Sequence, residues 1–336
     1  MNPALPLPPP GSDAERLIGA RTGGWRLASL VAVGAMGWVY EARRDPPAGT
    51  DEPLRIAKVL RPGLNHAALR RRFGREWRIQ RLARGPGVPQ IIARAMVGWN
   101  AAHADIKPAS ADPLDIAADG PPPHLPCFVM SHAPGSEMIS IGRRGAPLSP
   151  RAVRRVIRRI AAVVERVHAV GIAHGDIKPQ NVIISPSLTA NTIDDVHLID
   201  FGVARVIEPP RRAERLSGEI EPADQVCTPQ YASPQRLDGG GATFSCDQYA
   251  LCAVAYELLT GAPPHPRGGR AFEQYRRSIR EQRPTPLMEV CHIPKSGEEE
   301  SCLLRLNAAI LRGLSQDASD RHASIAALIE ALGTGD

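Results

Sequence analysis

The feature that most limits how this chain can fold is a change of hydrophobic period at Pro134-Gly135. Before it, apolar residues come in short runs, WRLASLVAV from Trp25, WVYEARR from Trp38 and LRIAKVL from Leu54, separated by Gly and Pro clusters. Short β-branched runs bounded by turn formers predict antiparallel strands. A further strand, CFVM from Cys127, follows, and in this half residues 67–83 repeat at helical spacing (Leu69, Phe73, Trp77, Ile79, Leu82). After Pro134-Gly135 the period is helical. Ser149 reads as an N-cap and Pro150 as the first helical residue, with Val153, Ile157, Ile160, Ala161, Val164 and Val167 down one face. Two short strands, NVII and VHLID, and a loop to about Pro234 separate this helix from helical patterns at 247–260, 271–280, 300–314 and 321–332. The expected class is α+β in two parts: a small β-rich lobe with one main helix, then a larger helical lobe.

A length of 336 residues fits that division. Residues 1–24, rich in Pro and Gly, are expected to be a disordered tail, 25–131 the first lobe with an exposed insertion at 98–126, and 132–336 the second. No apolar stretch approaches the roughly 18 residues a membrane span needs, and the N-terminus lacks the basic start and apolar core of a secretory signal. A soluble, cytoplasmic protein without a membrane span is expected. The six cysteines form no CxxC pair, and Cys291, His292 and Cys302 lack an evident fourth zinc ligand, so reduced thiols are expected. The net charge of +6 is carried mostly by arginine. Arg151, Arg154, Arg155, Arg158 and Arg159 share one side of the helix after Ser149 and read as a solvated face; no nucleic-acid partner is expected.

Lysine occurs only at 58, 107, 178 and 295, in a chain that writes arginine nearly everywhere. Such a chain keeps lysine where a compact ammonium is needed. Lys58 lies in the apolar strand IAKVL, and Glu76, eighteen residues on, offers a carboxylate to hold it. Upstream, AVGAMGWVYEA places Gly34 and Gly37 in a strand-turn-strand context that lets backbone amides approach phosphates. The densest signal is AHGDIKPQNVII followed by VHLIDFGVAR. There Asp176 can accept a hydroxyl proton, Lys178 can neutralise a transferring phosphate, and Asn181 with Asp200 can offer oxygens to Mg²⁺.

With these blocks, and with CTPQYASPQ from Cys227, SCDQYALCAVAYELLTG containing Asp247, and DASDRHAS containing Arg321, the chain resembles the protein kinase family over about residues 25–335. The likeness is to bacterial Ser/Thr kinases of the eukaryotic type, with a bilobal fold. The resemblance implies an ATP-dependent Ser/Thr protein kinase that transfers the γ-phosphoryl group of Mg-ATP, with Mn²⁺ as an alternative metal, to Ser/Thr hydroxyls of protein substrates, autophosphorylation included. It implies Asp176 as catalytic base, Lys58 and Glu76 as the activating ion pair, Asn181 and Asp200 as metal ligands, and Lys178 with Thr228 as the mark of Ser/Thr specificity. Val33, Gly34, Gly37 and Val39 would contact the nucleotide, Met130 would be the gatekeeper, Ser131, His132 and Ala133 the adenine hinge, and Glu137 a ribose contact.

Four positions depart from the pattern. Ile56 replaces a small residue two before Lys58, Gln80 an apolar one, Gln235 the Glu that pairs with Arg321, and Gly175 the arginine before the catalytic aspartate. A buried Gln80 amide without partners is expected to weaken the active arrangement, at about 1–3 kcal/mol. That keeps open the alternative of an inactive kinase-fold module that binds and regulates a partner. Ala102–Ser110, AHADIKPAS, nearly copies AHGDIKPQN but has no Asn at the metal position.

Overall fold

In the computed structural model the described residues are 13–34, 36–47, 49, 52–62, 67–98, 124–139, 147–185, 196–207, 227–291 and 297–333. The chain divides into two compact units, residues 1–84 with 89–133, and 85–88 with 134–336.

The first unit is built on a six-stranded antiparallel sheet in the order β1-β2-β3-β4-β6-β5, with β1 Arg21–Thr22, β2 Trp25–Val33, β3 Gly37–Arg44, β4 Arg55–Leu60, β5 Ile91–Gly98 and β6 His124–Ser131. Helix α1, Ala67–Leu82, packs on β5 and β6. Alternation decides which residues are buried: along β4, Ala57 and Val59 are buried in the core while Ile56 and Lys58 stay half-buried on the other face. Phe73 of α1 stacks on Phe128 of β6 at 5.1 Å between ring centroids, with Leu60 beside them.

Residues 13–24 do not belong to the expected disordered tail, and residues 1–12 lie outside the described residues. Ala14 and Leu17 are buried in the core of the sheet, the Tyr40 hydroxyl donates to the Ala14 carbonyl at 2.7 Å, and the Thr22 hydroxyl donates to Met96 O at 3.1 Å. Apolar residues among the polar ones anchor residues 13–24. The insertion is also narrower than 98–126, because Gly98 ends β5 and residues 124–126 begin β6; residues 99–123, with the AHADIKPAS copy, lie outside the described residues. Strand β5 itself was not expected, since Arg94 and two alanines blur the apolar run of IIARAMVG.

In the second unit, α2 Pro150–Ala169 packs against α4 Phe244–Thr260, α7 Gly297–Gly313 and α8 Ile325–Ala331; α3 Pro234–Leu237, α5 Phe272–Glu281 and α6 Leu287–Val290 complete the helices. Ser149 caps α2 as its sequence predicts, its hydroxyl accepting from Ala152 N. Thr243 starts α4 three residues earlier than expected by accepting from Cys246 N, and Gly261, at φ 77°, ends it. Helix α8 starts later than residue 321, because Ser324 caps it and Arg321 belongs to the turn before. The arginine side of α2 is not simply a solvated face: Arg151 pairs with Glu298 at 2.5 Å, and Arg158 donates to Ile329 O at 2.9 Å and Gly333 O at 2.7 Å. These arginines fasten α7 and the end of α8 to α2. Two small sheets, β7 Ser136–Glu137 with β9 Val182–Ile184 and β10 Val196–Leu198, and β8 Ile172–Ala173 with β11 Arg205–Val206, carry the loops described next.

Candidate active site

In the second unit the chemistry-bearing residues sit where short strands end. Strands β9 and β10 pair antiparallel with Leu198 opposite Val182, and Ile199 N donates to Asn181 O at 2.9 Å, so Asn181 and Asp200 emerge side by side. Asp200 is the one non-glycine residue at positive φ, 64°, among the described residues. Such backbone strain concentrates at functional sites.

Asp176 is held from several directions. Lys178 Nζ donates to its Oδ2 at 2.6 Å and to the Thr228 hydroxyl at 2.9 Å, and Thr228 N donates to its Oδ1 at 3.2 Å. The Asn181 amide donates to the Asp176 carbonyl at 2.8 Å and to Oδ2 at 3.2 Å, which turns the Asn181 amide oxygen away from Asp176. That oxygen and the Asp200 carboxylate are hard-oxygen donors of the kind that could hold Mg²⁺. Asp176, Lys178, Asn181 and Thr228, named from sequence, are therefore brought into one hydrogen-bonded group.

Beneath them lies a support that sequence spacing did not reveal. Asp247, fully buried in the first turn of α4, accepts from His174 N and Gly175 N at 2.7 Å each and meets His168 Nε2 at 2.8 Å. Burial alone would push its carboxyl up; the His168 contact, the nearby His174 and the Gly175 amide outweigh burial and hold it below the ordinary carboxylate range. The His174 ring bonds Ile199 O at 3.0 Å and meets the buried Phe201 edge-on at 4.8 Å. One carboxylate thus fixes the loop before Asp176, and one imidazole ties that loop to the segment of Asp200. Gly175 is at φ 80°, and a Cβ there would lie 2.6 Å from the Ala242 Cβ. The residue is a conformational requirement here, not only a missing arginine.

In the first unit, Lys58 Nζ donates to Glu76 Oε1 at 2.5 Å, with the carboxylate side chain 1% exposed. Val39 pairs with Lys58 across β3 and β4, and Gly34 N donates to Gly37 O at 2.8 Å to close the β2–β3 turn below the Val33–Trp38 pair. Gly37 has a reason beyond phosphate approach, since a Cβ would lie 2.8 Å from Val59 O of β4. Ile56 pairs with Met130. Gln80 is not the unsatisfied amide expected: buried at 2% exposure, it donates to Pro89 O at 2.8 Å and lies 3.3 Å from Met130 Sδ. Ser131 is tied to Gln90 by two bonds, at 2.9 and 2.8 Å; His132 and Ala133 end this unit, and Glu137 opens the next as part of β7.

Gln235 does hydrogen-bond Arg321, at 2.8 Å, as expected, and its amide also donates to Gln316 O at 2.7 Å, which a carboxylate could not do. All six cysteines are free, as their spacing predicts. Burial pushes the Cys127 and Cys252 thiols up to about 12, so they pack as neutral groups. Among the described residues no three His, Cys, Asp or Glu side chains gather as a metal cluster, and no helix is long and apolar enough to cross a membrane.

Comparison with known proteins identifies the family. The protein kinase domain matches residues 121–329, more than half of the chain. The chain is 29% identical over 258 residues to the serine/threonine-protein kinase PknD of Mycobacterium tuberculosis, covering 76% of the chain and 32% of that protein. It is 29% identical over 320 residues to Pkn1 of Myxococcus xanthus (95% and 39%) and 28% over 330 residues to PknE of M. tuberculosis (96% and 49%). The chain spans about a third to a half of the length of these relatives. The domain match begins after the first five strands, whereas the alignments to Pkn1 and PknE run through nearly the whole chain. The chain belongs to the protein kinase domain family, among relatives that are bacterial serine/threonine kinases.

Proposed function

We propose that this chain transfers the γ-phosphoryl group of Mg-ATP to Ser or Thr hydroxyls of proteins. The observation that carries this reading is the Asp176 carboxylate, held by the Lys178 ammonium, the Asn181 amide and Thr228 N. An aspartate so oriented can take the proton of an attacking hydroxyl, with Lys178 at hand to offset charge on the transferring phosphoryl group. Mg²⁺, when bound, would neutralise charge on the nucleotide phosphates, and the Asn181 amide oxygen and Asp200 carboxylate are the groups fitted to hold it. Lys58, kept in place by Glu76, is the cation for the nucleotide phosphates. Val33, Gly34, Gly37 and Val39 are assigned to the nucleotide's phosphate side, Met130 to Ala133 to its adenine, and Glu137 to its ribose. Catalysis on this reading is positioning and electrostatics, with little covalent work for the protein. The bonded Gln80 amide removes one of the two reasons for an inactive binding module.

Incubation with labelled Mg-ATP tests it, scored as autophosphorylation and as transfer to a generic protein substrate. Wild type should transfer phosphate, while Asp176→Asn and Lys58→Met should fall by at least about a hundredfold, near 2.7 kcal/mol of barrier, in protein that still unfolds cooperatively, Lys58→Met at a lower temperature because the buried Glu76 loses its cation. Equal rates in wild type and Asp176→Asn would refute the assignment.

A further inference from the structure

Two buried polar side chains, one turn apart, fasten helix α1 within the first unit. Glu76 receives Lys58 Nζ of β4 at 2.5 Å. Gln80, four residues on and hence on the same side of the helix, is 2% exposed. Its amide nitrogen carries two hydrogens and has two acceptors, Pro89 O at 2.8 Å and the weaker Met130 Sδ at 3.3 Å. Each of these acceptors precedes a residue of a second bonded pair. Ser131 N donates to Gln90 O at 2.9 Å, and Gln90 N donates to Ser131 Oγ at 2.8 Å. Gln80, Pro89, Gln90, Ser131 and Met130 thus close a ring of covalent and hydrogen bonds around the first residue assigned to the adenine hinge, and all five belong to one unit.

An apolar residue at position 80 would fill the same space, but apolar contact is non-directional and lets a helix slide. The amide is directional. A slip of α1 by one residue turns the side chain by about 100° and leaves a buried amide without partners, at the full desolvation penalty. Helix α1 therefore has two discrete arrangements, bonded or stranded, and such an element is what can carry coupling between sites.

We infer that Gln80 is a positioning residue that couples the two ends of the nucleotide site. Its amide joins the helix that holds Lys58, assigned to the phosphates, to the segment that forms the hinge, assigned to the adenine. Loosening the Lys58–Glu76 pair reaches Ser131 through Gln80, and ordering Ser131 with a bound base steadies that pair in return, because coupling between two sites is reciprocal. The naming of the two ends rests on the phosphotransfer reading above; the coupling itself belongs to the chain without nucleotide.

The first test follows hydrogen exchange of the Ser131 amide in the full chain, with no nucleotide. Gln80→Met keeps the length of the side chain and removes the donor, and should speed that exchange about tenfold. Glu76→Gln should speed it about fivefold, and the double variant should exchange no faster than Gln80→Met alone, since the path from 76 to 131 is already cut. A Ser131 rate unchanged in either single variant, or effects that multiply to about fiftyfold in the double variant, would overturn the inference. Should Glu76→Gln not fold, Lys58→Met takes its place in the same cycle. The second test titrates adenosine, which has no phosphate to meet Lys58. Glu76→Gln should weaken adenosine binding about fivefold in the wild-type background and leave it unchanged in the Gln80→Met background. Equal weakening in both backgrounds would show that Gln80 only packs, and would sink the coupling. A wild type that binds neither adenosine nor Mg-ATP would refute the nucleotide assignment instead, while the exchange cycle still decides on Gln80.

Discussion

Asp247 shows how a residue remote from the reacting groups governs them. Its carboxylate accepts two backbone amides and the His168 ring while fully buried. Replacement by alanine leaves those two amides without partners, at about 1–3 kcal/mol each. Asp247→Ala should therefore lower the unfolding free energy in urea by about 3 kcal/mol and reduce kcat far more than the KM for ATP, because the loop that aims Asp176 loosens. Its pH dependence has a definite sign. The folded carboxyl titrates below its unfolded value, near 3.9 for aspartate, so this contribution is complete above that pH and is lost as pH falls through the lower folded pKa. Wild type should lose stability in that acid window and Asp247→Asn should lose less, as thermal unfolding from pH 5 to pH 2.5 would show.

The elements were legible where burial on one face imposes a clean period. Strands β2, β3 and β4 and helices α1, α2, α5 and α7 fall within a few residues of the patterns that predict them. What sequence could not show were the contacts that bind elements together. Asp176, Lys178, Asn181 and Thr228 are visible as residue types at fixed offsets, but the buried support from Asp247 depends on which helix packs beneath the loop. The same holds for α2. Its arginines look like a solvated face because their acceptors, Glu298 and the carbonyls of Ile329 and Gly333, lie more than 140 residues away in sequence. Arg158 satisfies carbonyls at and beyond the end of α8 that lack intrahelical partners. Arg158→Ala should thus cost about 1–3 kcal/mol and free the end of α8, while an exposed pair such as Arg277–Glu281 should cost under about 1 kcal/mol when broken. Differential scanning calorimetry of Arg158→Ala and Arg277→Ala checks the contrast.

At the scale of the whole molecule the question is what switches the activity proposed for it. Many kinases order a phosphorylated activation loop through an arginine next to the catalytic aspartate, by charge-assisted bonds. Here that place is Gly175, and the structure gives the glycine its own task. Its φ of 80° and the 2.6 Å approach of a Cβ to Ala242 leave no room for a side chain, and its amide is spent on Asp247. Asp176 is meanwhile oriented by Lys178, Asn181 and Thr228. Ser217, with Arg211, Arg212 and Arg215, lies outside the described residues. Control by phosphorylation at Ser217 therefore has no charged group at position 175 to act through, and the small-unit helix that bears Glu76 and Gln80 is the better place for regulation. Dephosphorylated Ser217→Ala protein should phosphorylate an exogenous substrate at an initial rate within about threefold of wild type, whereas a loss of about a hundredfold, near 2.7 kcal/mol, would show that loop phosphorylation is required. Gly175→Arg should not create such dependence either. A left-handed backbone costs a residue with a Cβ about 1–2 kcal/mol, so this variant should lose both stability and activity, whatever the phosphorylation state of the loop.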